Sequence, residues 1–298
     1  MAEAALAGDG AAIAALPPAR RFATTRRLFG HRLFVTGLIL FGAMLFLALA
    51  AEWIAPHNPM RMQFRARFRP PGEAFLFGTD NFGRDIFSRL CFGARLSLGI
   101  GFAVVLATGI AGTAIGLAAG YFRRLDEWLM RVMDALMAFP AVMLALAIAA
   151  ALGPSAANAV IALSAVYIPR TARIVRATVL VVREMDYVQA ARAFGGRDHW
   201  IILRHILPNS LAPLIVQLTF IFAYAVLAES ILSFLGVGPP PPTPTWGNMI
   251  AEGKDYIREA WWIAMFPGLA ICLTVLGLNL LGDGLRDVLD PRLKVQQG

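Results

Sequence analysis

The sequence predicts an all-α integral membrane protein with six transmembrane helices, and three observations carry that prediction. Of its 298 residues, 58% are hydrophobic and only 15% are charged, whereas a soluble domain carries about 25% charged residues. The apolar residues are concentrated in runs long enough to cross a hydrocarbon layer of about 30 Å as helices. The basic residues flank these runs, which favours a role in membrane orientation over nucleic-acid binding.

The first part of the chain predicts one crossing and one long outer loop. Residues 1–32 are expected to form a cytoplasmic N-terminal tail, partly disordered, whose arginine cluster precedes a first span at 33–54. Residues 55–94 are rich in proline, arginine and turn signals, which predicts an extracytoplasmic loop. The remaining spans are expected within 95–285, followed by a cytoplasmic C-terminal tail at 286–298.

Five further spans are predicted in the second part of the chain. The fourth of the six is the least clear, because its apolar run measures only about 21 Å as a helix before Arg170, Arg173 and Arg176 recur at helical spacing. Lysine and arginine are roughly twice as abundant on the predicted cytoplasmic side as outside, which places both termini in the cytoplasm. The proposed bounds are 96–120, 129–152, 156–169 with a basic extension, 211–235 and 261–282.

Small and polar residues inside the spans suggest specific roles. A glycine every four residues in the second span predicts a face for close helix packing. An ionisable group at membrane depth is costly and is by default a functional candidate, although Glu229 could instead lie in water at the outer interface, about 27 Å along its helix. The packing glycines are Gly112, Gly116 and Gly120, and the candidates for lining a translocation path are Gln217, Tyr224 and Glu229.

A charged, helix-prone segment, residues 183–209, separates the fourth and fifth spans. Asp186 and Gln189 predict a capping box at the start of a short helix, 187–194. Gly195 then predicts the left-handed residue that ends this helix. The segment is therefore expected to bend sharply after its first helix.

A second short helix, 199–207, is expected to complete a helix-turn-helix elbow, with Asp198 as its N-cap and Pro208 at its end. Ala190 and Ala191 leave one face of the first helix almost without side chains, so its backbone can approach another protein closely. The alternative is an elbow that only joins two membrane helices and lies on the lipid headgroups.

Four motifs distributed along the chain carry a resemblance to a known family. The elbow resembles the EAA loop of permeases of binding-protein-dependent ABC importers, through the spacing of Ala190, Ala191, Gly195, Leu207 and Pro208. Gln189 and His205 depart from that pattern, which usually has Glu and Ile there. Three other segments are similar to the dipeptide, oligopeptide and nickel subfamily, specifically to the second of its two permeases: GTD-x-x-GRD at 78–85, SFLG-x-G-x-x-PP-x-P-x-WG-x-M at 233–249, and LGDGLRDVLDPRLK at 281–294.

The resemblance implies the type I permease fold of ABC importers, with a cytoplasmic coupling helix, in a bacterial inner membrane. It implies a heterodimer with a homologous second permease, two cytoplasmic ATPase subunits that bind ATP and Mg, and a periplasmic solute-binding protein. This chain would then hold no cofactor or metal, would contact membrane lipid, and would bind no nucleic acid. The implied substrates are di- or oligopeptides, with nickel, a nickel chelate or another small solute as the alternative.

The resemblance also implies roles for individual residues. Contact with the ATPases is expected at the elbow, and contact with the periplasmic binding protein at outer segments that include the interfacial Trp246. The coupling residues are Gln189, Ala190, Ala191, Gly195, Leu207 and Pro208, and the docking candidates are Asp80, Arg84, Asp85 and Trp246.

The chemistry of catalysis is missing from the sequence. It contains no G-x-x-x-x-G-K-[ST] loop, no nucleophile elbow and no zinc-ligand spacing, which predicts a pathway and not an enzyme. Cys91 and Cys272 form neither a disulfide framework nor a metal pattern, and are expected to be free thiols packed as small apolar residues. Two other classes stay open, namely an ATP-independent channel or secondary transporter, and a membrane sensor without transport of its own.

Overall fold

The computed structural model describes residues 27–289. The secondary structure of these residues is helical apart from turns and two isolated β-bridges, which confirms the all-α prediction. The predictions for the first 26 residues and for 290–298 lie outside the described residues. The helices are α1 (Arg32–Leu49), α2 (Ala51–Ile54), α3 (Ile86–Tyr121), α4 (Arg123–Met137), α5 (Ala141–Leu152), α6 (Ala156–Val182), α7 (Asp186–Ala193), α8 (Asp198–Ile201), α9 (Leu207–Phe234), α10 (Trp246–Gly253) and α11 (Trp262–Leu289).

Within the described residues, four helical segments are long and apolar enough to cross a membrane: α1, α3, residues 198–234, and α11. A fifth crossing is reached if α4 and α5, which meet at 91°, are taken as one broken span. The predicted number of six is therefore not established by length and composition. The helix α6 is also 27 residues long, but three arginines interrupt the apolar character of its second half.

Several helices begin or end at residues other than the ends of the predicted spans. The first span stops at Leu49 and is followed by the short α2. The outer loop is shorter than predicted because α3 begins at Ile86, where Asp85 acts as N-cap and its Oδ2 accepts the backbone N–H of Ser88 at 3.0 Å. The last span extends to Leu289. Cys91 is buried as expected, whereas Cys272 is exposed.

The predicted third span, 129–152, is two helices. Pro140 stands between them and disfavours a helical conformation at the residue before it, so α4 ends at Met137 and α5 begins at Ala141. The 12 residues of α5 measure only about 18 Å. The charged face of α4 contacts α6 through two ion pairs, Asp126 with Arg176 and Asp134 with Arg173.

The glycines of α3 lie directly against α6. A Cβ added at Gly116 would lie 2.6 Å from the carbonyl oxygen of Ala172 and 2.7 Å from Cβ of Val175. Gly112 and Gly120 face Thr171 and Val179 at the same 2.6 Å separation. These distances leave no room for any side chain, so the two helix backbones are in close contact along three turns.

A second close helix contact, between α1 and α11, had not been predicted. A Cβ at Gly37 would lie 2.5 Å from the backbone nitrogen of Leu281, and one at Gly277 would lie 2.8 Å from that of Phe41. The sequence signal existed, since glycines recur in both apolar runs, but their spacing is irregular. These contacts attach the first span to the last.

Candidate functional site

The elbow forms, but its first helix begins differently from the prediction. The helix α7 has Met185 as its N-cap, without a side-chain hydrogen bond, so Asp186 and Gln189 do not form a capping box. Gln189 instead donates from Nε2 to the carbonyl oxygen of Arg183 at 2.9 Å. Gly195 has a φ of +81°, the left-handed conformation predicted for the residue that ends the helix.

The second arm of the elbow does not end at Pro208. The N-cap of α8 is Arg197 rather than Asp198, and α8 continues through a π-helical turn, Ile202–Ile206, directly into α9. Pro208 follows the π-helical turn directly and the helix continues through it, because the altered hydrogen-bonding pattern of that turn accommodates a residue without an N–H. The elbow and the fifth span are therefore one continuous helical rod, Asp198–Phe234, so a displacement of the elbow is transmitted to the span.

The inner side of the elbow is anchored to α3 and α6. Val188, Ile201 and Ile206 have no exposed surface and share a hydrophobic cluster with residues of α3, α6 and α9. The Tyr121 hydroxyl at the end of α3 donates to Asp198 Oδ1 at 2.6 Å. The elbow is thus held by apolar packing and by a specific hydrogen bond.

A second set of polar contacts holds the same junction. Arg183 Nη1 donates to the carbonyl oxygen of Gly120 at 2.7 Å. The guanidinium of Arg192 lies 5.4 Å from the centroid of the Tyr121 ring. Hydrogen bonding with the Tyr121 hydroxyl, with the charge of Asp198 as a further cause, raises the pKa of Arg192 above its usual range, so the cation is retained at this contact.

The solvent-exposed surface of the elbow, called its outer side here as opposed to the inner side packed on α3 and α6, carries large apolar side chains. Phe194 is 92% exposed and Leu203 is 60% exposed. Ala190 is exposed and Ala191 half-buried. Such a patch on a charged segment is typical of a docking surface. Phe194 was missed at the sequence level, although its position immediately before two glycines was a usable signal. Of the remaining coupling candidates, Leu207 is half-buried and Pro208 is exposed.

At the opposite end of α3, residues 78–85 form a tight turn stabilised by its own aspartates. Asp80 Oδ1 accepts the backbone N–H groups of Phe82 at 2.8 Å and Arg84 at 2.9 Å. Gly83 has a φ of +72°. Asp85 caps the helix that follows, and its Oδ2 also accepts the Ser88 hydroxyl.

The turn carries a buried network of four charges that joins it to α10. Asp80 Oδ2 accepts Nε of Arg84 at 2.6 Å and Nη1 of Arg89. Glu252 Oε2 accepts Nη1 of Arg89 at 2.6 Å and Nη2 of Arg84. The two acids and two bases balance, and a buried charge is tolerated when it is paired and hydrogen-bonded in this way.

The four outer docking candidates are buried within the chain. Asp80 has no exposed surface, and Arg84 and Asp85 are each 2% exposed. Trp246 is completely buried, and its indole Nε1 donates to the carbonyl oxygen of Leu90 at 3.2 Å. All four side chains hold the outer segments together from inside, because each of them forms at least one hydrogen bond within the chain.

The polar residues of α9 have different surroundings. Gln217 lines two adjoining cavities, of about 780 and 450 Å³, and Tyr224 lines the smaller one. Glu229 is not at a wet interface as the alternative supposed, because it has no exposed surface. Its Oε1 accepts the Ser233 hydroxyl at 2.6 Å, while Oε2 has no hydrogen-bond partner among the described residues.

A bundle of long apolar helices, with an exposed elbow that continues into one of them and an open groove beside it, has the architecture of a helical membrane transport protein. The chain belongs to the family of binding-protein-dependent transport system inner membrane components, because the sequence model of that family matches residues 112–295. Residues 23–71 also match the N-terminal TM domain of oligopeptide transport permease C. The protein is thus a multi-pass inner-membrane permease of an ABC importer, a translocation subunit and not an enzyme in itself.

Relatives with assigned names cover almost the whole chain. A putative peptide transport system permease protein of Brucella abortus is 58% identical over 273 residues, 92% of each chain. A dipeptide transport system permease protein of Escherichia coli K12 is 49% identical over 268 residues, 87% of this chain and 89% of the relative. One of the same name from Alkalihalophilus pseudofirmus is 44% identical over 270 residues, 90% and 89% of the two chains.

Proposed function

We propose that this chain carries di- or oligopeptides across the inner membrane as the second permease of a heterodimeric ABC importer. The relatives described above are named for peptide or dipeptide transport, and none of those three is named for nickel. A periplasmic solute-binding protein delivers the peptide. Two cytoplasmic ATPase subunits, which bind ATP and Mg, supply the energy.

The observation that carries this proposal is the construction of the elbow. Its apolar outer patch is free to enter a cleft on an ATPase, while its inner side is attached to α3 and α6. Since residues 198–234 form one helical rod, closure of the two ATPases would draw the elbows of the two permeases together and tilt the spans toward an outward-open state. The elbow and both termini are then cytoplasmic, which agrees with the excess of lysine and arginine on that side.

The docking role is tested by copurification of the ATPase subunits with the assembled importer. Phe194→Asp replaces the most exposed aromatic of the elbow with a charge, and we expect at least a tenfold loss of bound ATPase, the scale of losing one central apolar contact. Leu76→Asp is the matched control, because Leu76 is 58% exposed in the outer loop. Equal ATPase recovery from the two variants would contradict docking through the elbow.

The substrate is tested in proteoliposomes that contain both permeases and both ATPases, with the cognate binding protein added to the outside. We expect ATP-dependent uptake of a labelled dipeptide. Uptake of nickel ions without peptide uptake would refute the assignment of the substrate while leaving the permease assignment intact.

A further inference from the structure

Three arginines at helical spacing on α6 have different electrostatic environments. Arg173 donates to Asp134 Oδ1 at 2.6 Å, and Arg176 forms a two-point pair with Asp126. Arg170 has no acidic partner within ion-pair distance among residues 27–289. Among the residues that the structure describes, the charges of two of the three are therefore compensated, and that of Arg170 is not.

Arg170 lies where the apolar part of α6 ends. It is 14 residues from Ala156, the first residue of α6, and therefore about 21 Å along a helix that measures about 40 Å. A cation beside an apolar span is a candidate for contact with a solute or a partner. Packing of the helix does not require the charge, since an apolar side chain would fill the same space.

The surroundings of Arg170 form a recognisable anion-binding arrangement. Its guanidinium carbon lies 5.7 Å from the ring centroids of both Tyr167 and Tyr224, within cation–π distance. Tyr167 is nearly buried and its hydroxyl donates to the carbonyl oxygen of Tyr224 at 3.3 Å, which joins α6 to α9. Two aromatic faces orient the guanidinium and leave its N–H donors available for a ligand.

Arg170 borders an open surface cavity. The 450 Å³ cavity is lined by Arg170, Gln217, Tyr224 and Phe220, among others. It shares Ile174, Gln217 and Phe220 with the 780 Å³ cavity, which extends to Arg286 near the end of α11. A solute in the larger cavity can therefore reach the guanidinium along one continuous groove between α6 and α9.

We propose that Arg170 binds the C-terminal carboxylate of the transported peptide during its passage through the groove. The inference rests on the proposed peptide transport. A guanidinium binds a carboxylate through two parallel N–H···O hydrogen bonds, and Gln217 supplies an amide beside it for the peptide backbone. Every unmodified peptide carries this carboxylate whatever its side chains, so a subsite for it serves peptides of many sequences.

The test uses the complete importer in proteoliposomes with its binding protein, and measures the initial rate of ATP-dependent uptake of labelled dialanine. Arg170→Gln removes the charge and is expected to lower the rate about tenfold, the scale of one charge-assisted hydrogen bond. Arg170→Lys keeps the charge but not the two-point geometry, and its rate should fall between those of the wild type and Arg170→Gln. Arg131→Gln is the control, because Arg131 is an exposed arginine that pairs with Glu127 at 3.1 Å and lines neither cavity, and it should lose less than about twofold.

The C-terminal amide of dialanine separates recognition of the carboxylate from a general defect. After titration has shown that the binding protein retains the amide, Arg170→Gln is expected to change its uptake by less than about twofold. An equal loss for acid and amide, or a loss in Arg170→Lys as large as in Arg170→Gln, would overturn the proposal.

Two further arms identify other occupants. A loss that appears only in liposomes containing anionic lipid would assign Arg170 to a lipid phosphate, and reduced copurification of the second permease would assign it to the subunit interface. Either result overturns the subsite. Absence of any peptide uptake by the wild-type importer would instead refute the proposed function, so the two failures are distinguishable.

Discussion

Asp80→Asn tests whether the buried charge network holds the outer end of the bundle together. The substitution preserves the shape of the side chain and keeps an oxygen for the backbone N–H groups of Phe82 and Arg84. It replaces Oδ2, the acceptor for Arg84 and Arg89, with an amide that can only donate. Two buried guanidinium groups would then share the single negative charge of Glu252.

The expected cost follows from the burial of the four groups. Asp80, Arg84 and Arg89 are at most 2% exposed, and Glu252 is 17% exposed, so water compensates little of the lost charge. Removing one partner of a buried ion pair costs about 3–5 kcal/mol. For a chain of this size that corresponds to a fall in Tm of roughly 10 °C.

Thermal unfolding of the purified importer in detergent, followed by tryptophan fluorescence, measures this effect. Trp246 is the first residue of α10 and lies within the hydrophobic cluster there, so it is one of the tryptophans whose fluorescence changes when this region unfolds. Glu52→Gln is the control, since Glu52 pairs with Arg95 at 2.6 Å but the two side chains are 61% and 48% exposed. That surface pair is worth about 0–1 kcal/mol. A shift for Asp80→Asn no larger than for Glu52→Gln would refute the argument.

The remaining predictions concern helix contacts and the elbow. Gly116→Val inserts a side chain where two backbones touch, and we expect at least about 1–3 kcal/mol of destabilisation in the same thermal assay. Gly99→Val, at a position of the same helix with open space around it, should be nearly neutral, and equal losses would argue against the close packing. Gly195→Val places a branched residue at a φ of +81°, which strains the backbone by about 1–2 kcal/mol and should uncouple ATP hydrolysis from peptide uptake. Gly195→Asn is the control and should retain coupling, because asparagine tolerates this conformation. Unchanged uptake per ATP in the valine variant would exclude the turn from coupling. Tyr121→Phe removes the hydrogen bond to Asp198 and should destabilise the elbow by about 1–2 kcal/mol. The measurement is the rate of hydrogen exchange in residues 186–201, which should increase. An unchanged exchange rate would show that the hydrophobic cluster alone holds the elbow.

Local signals predicted some features of this protein well. The turn at Gly195 requires one residue with a positive φ, and the pair Gly195-Gly196 predicts such a turn because glycine adopts a positive φ at no steric cost. The glycine face of α3 repeats at helical spacing within one helix. The break between α4 and α5 was not predicted, because the apolar residues on both sides of Pro140 suggested one continuous span. Pro140 itself was a usable signal for the break. At Pro208 the error was the opposite one. The sequence predicted the end of a helix, but the helix continues because a π-helical turn precedes the proline.

The membrane class, the family resemblance and the position of the elbow were determined by the sequence alone, because they depend on composition and on spacing between near neighbours. The burial of Asp80 and Trp246 and the difference between Arg170 and Arg173 were decided only by the tertiary structure. Arg89 meets Glu252 across 163 residues, and Arg173 meets Asp134 across 39. Lipid and protein interior are equally apolar, so hydropathy cannot distinguish a lipid-facing residue from a packed one. Only the arrangement of the helices shows which charges are compensated and which remains available for a ligand.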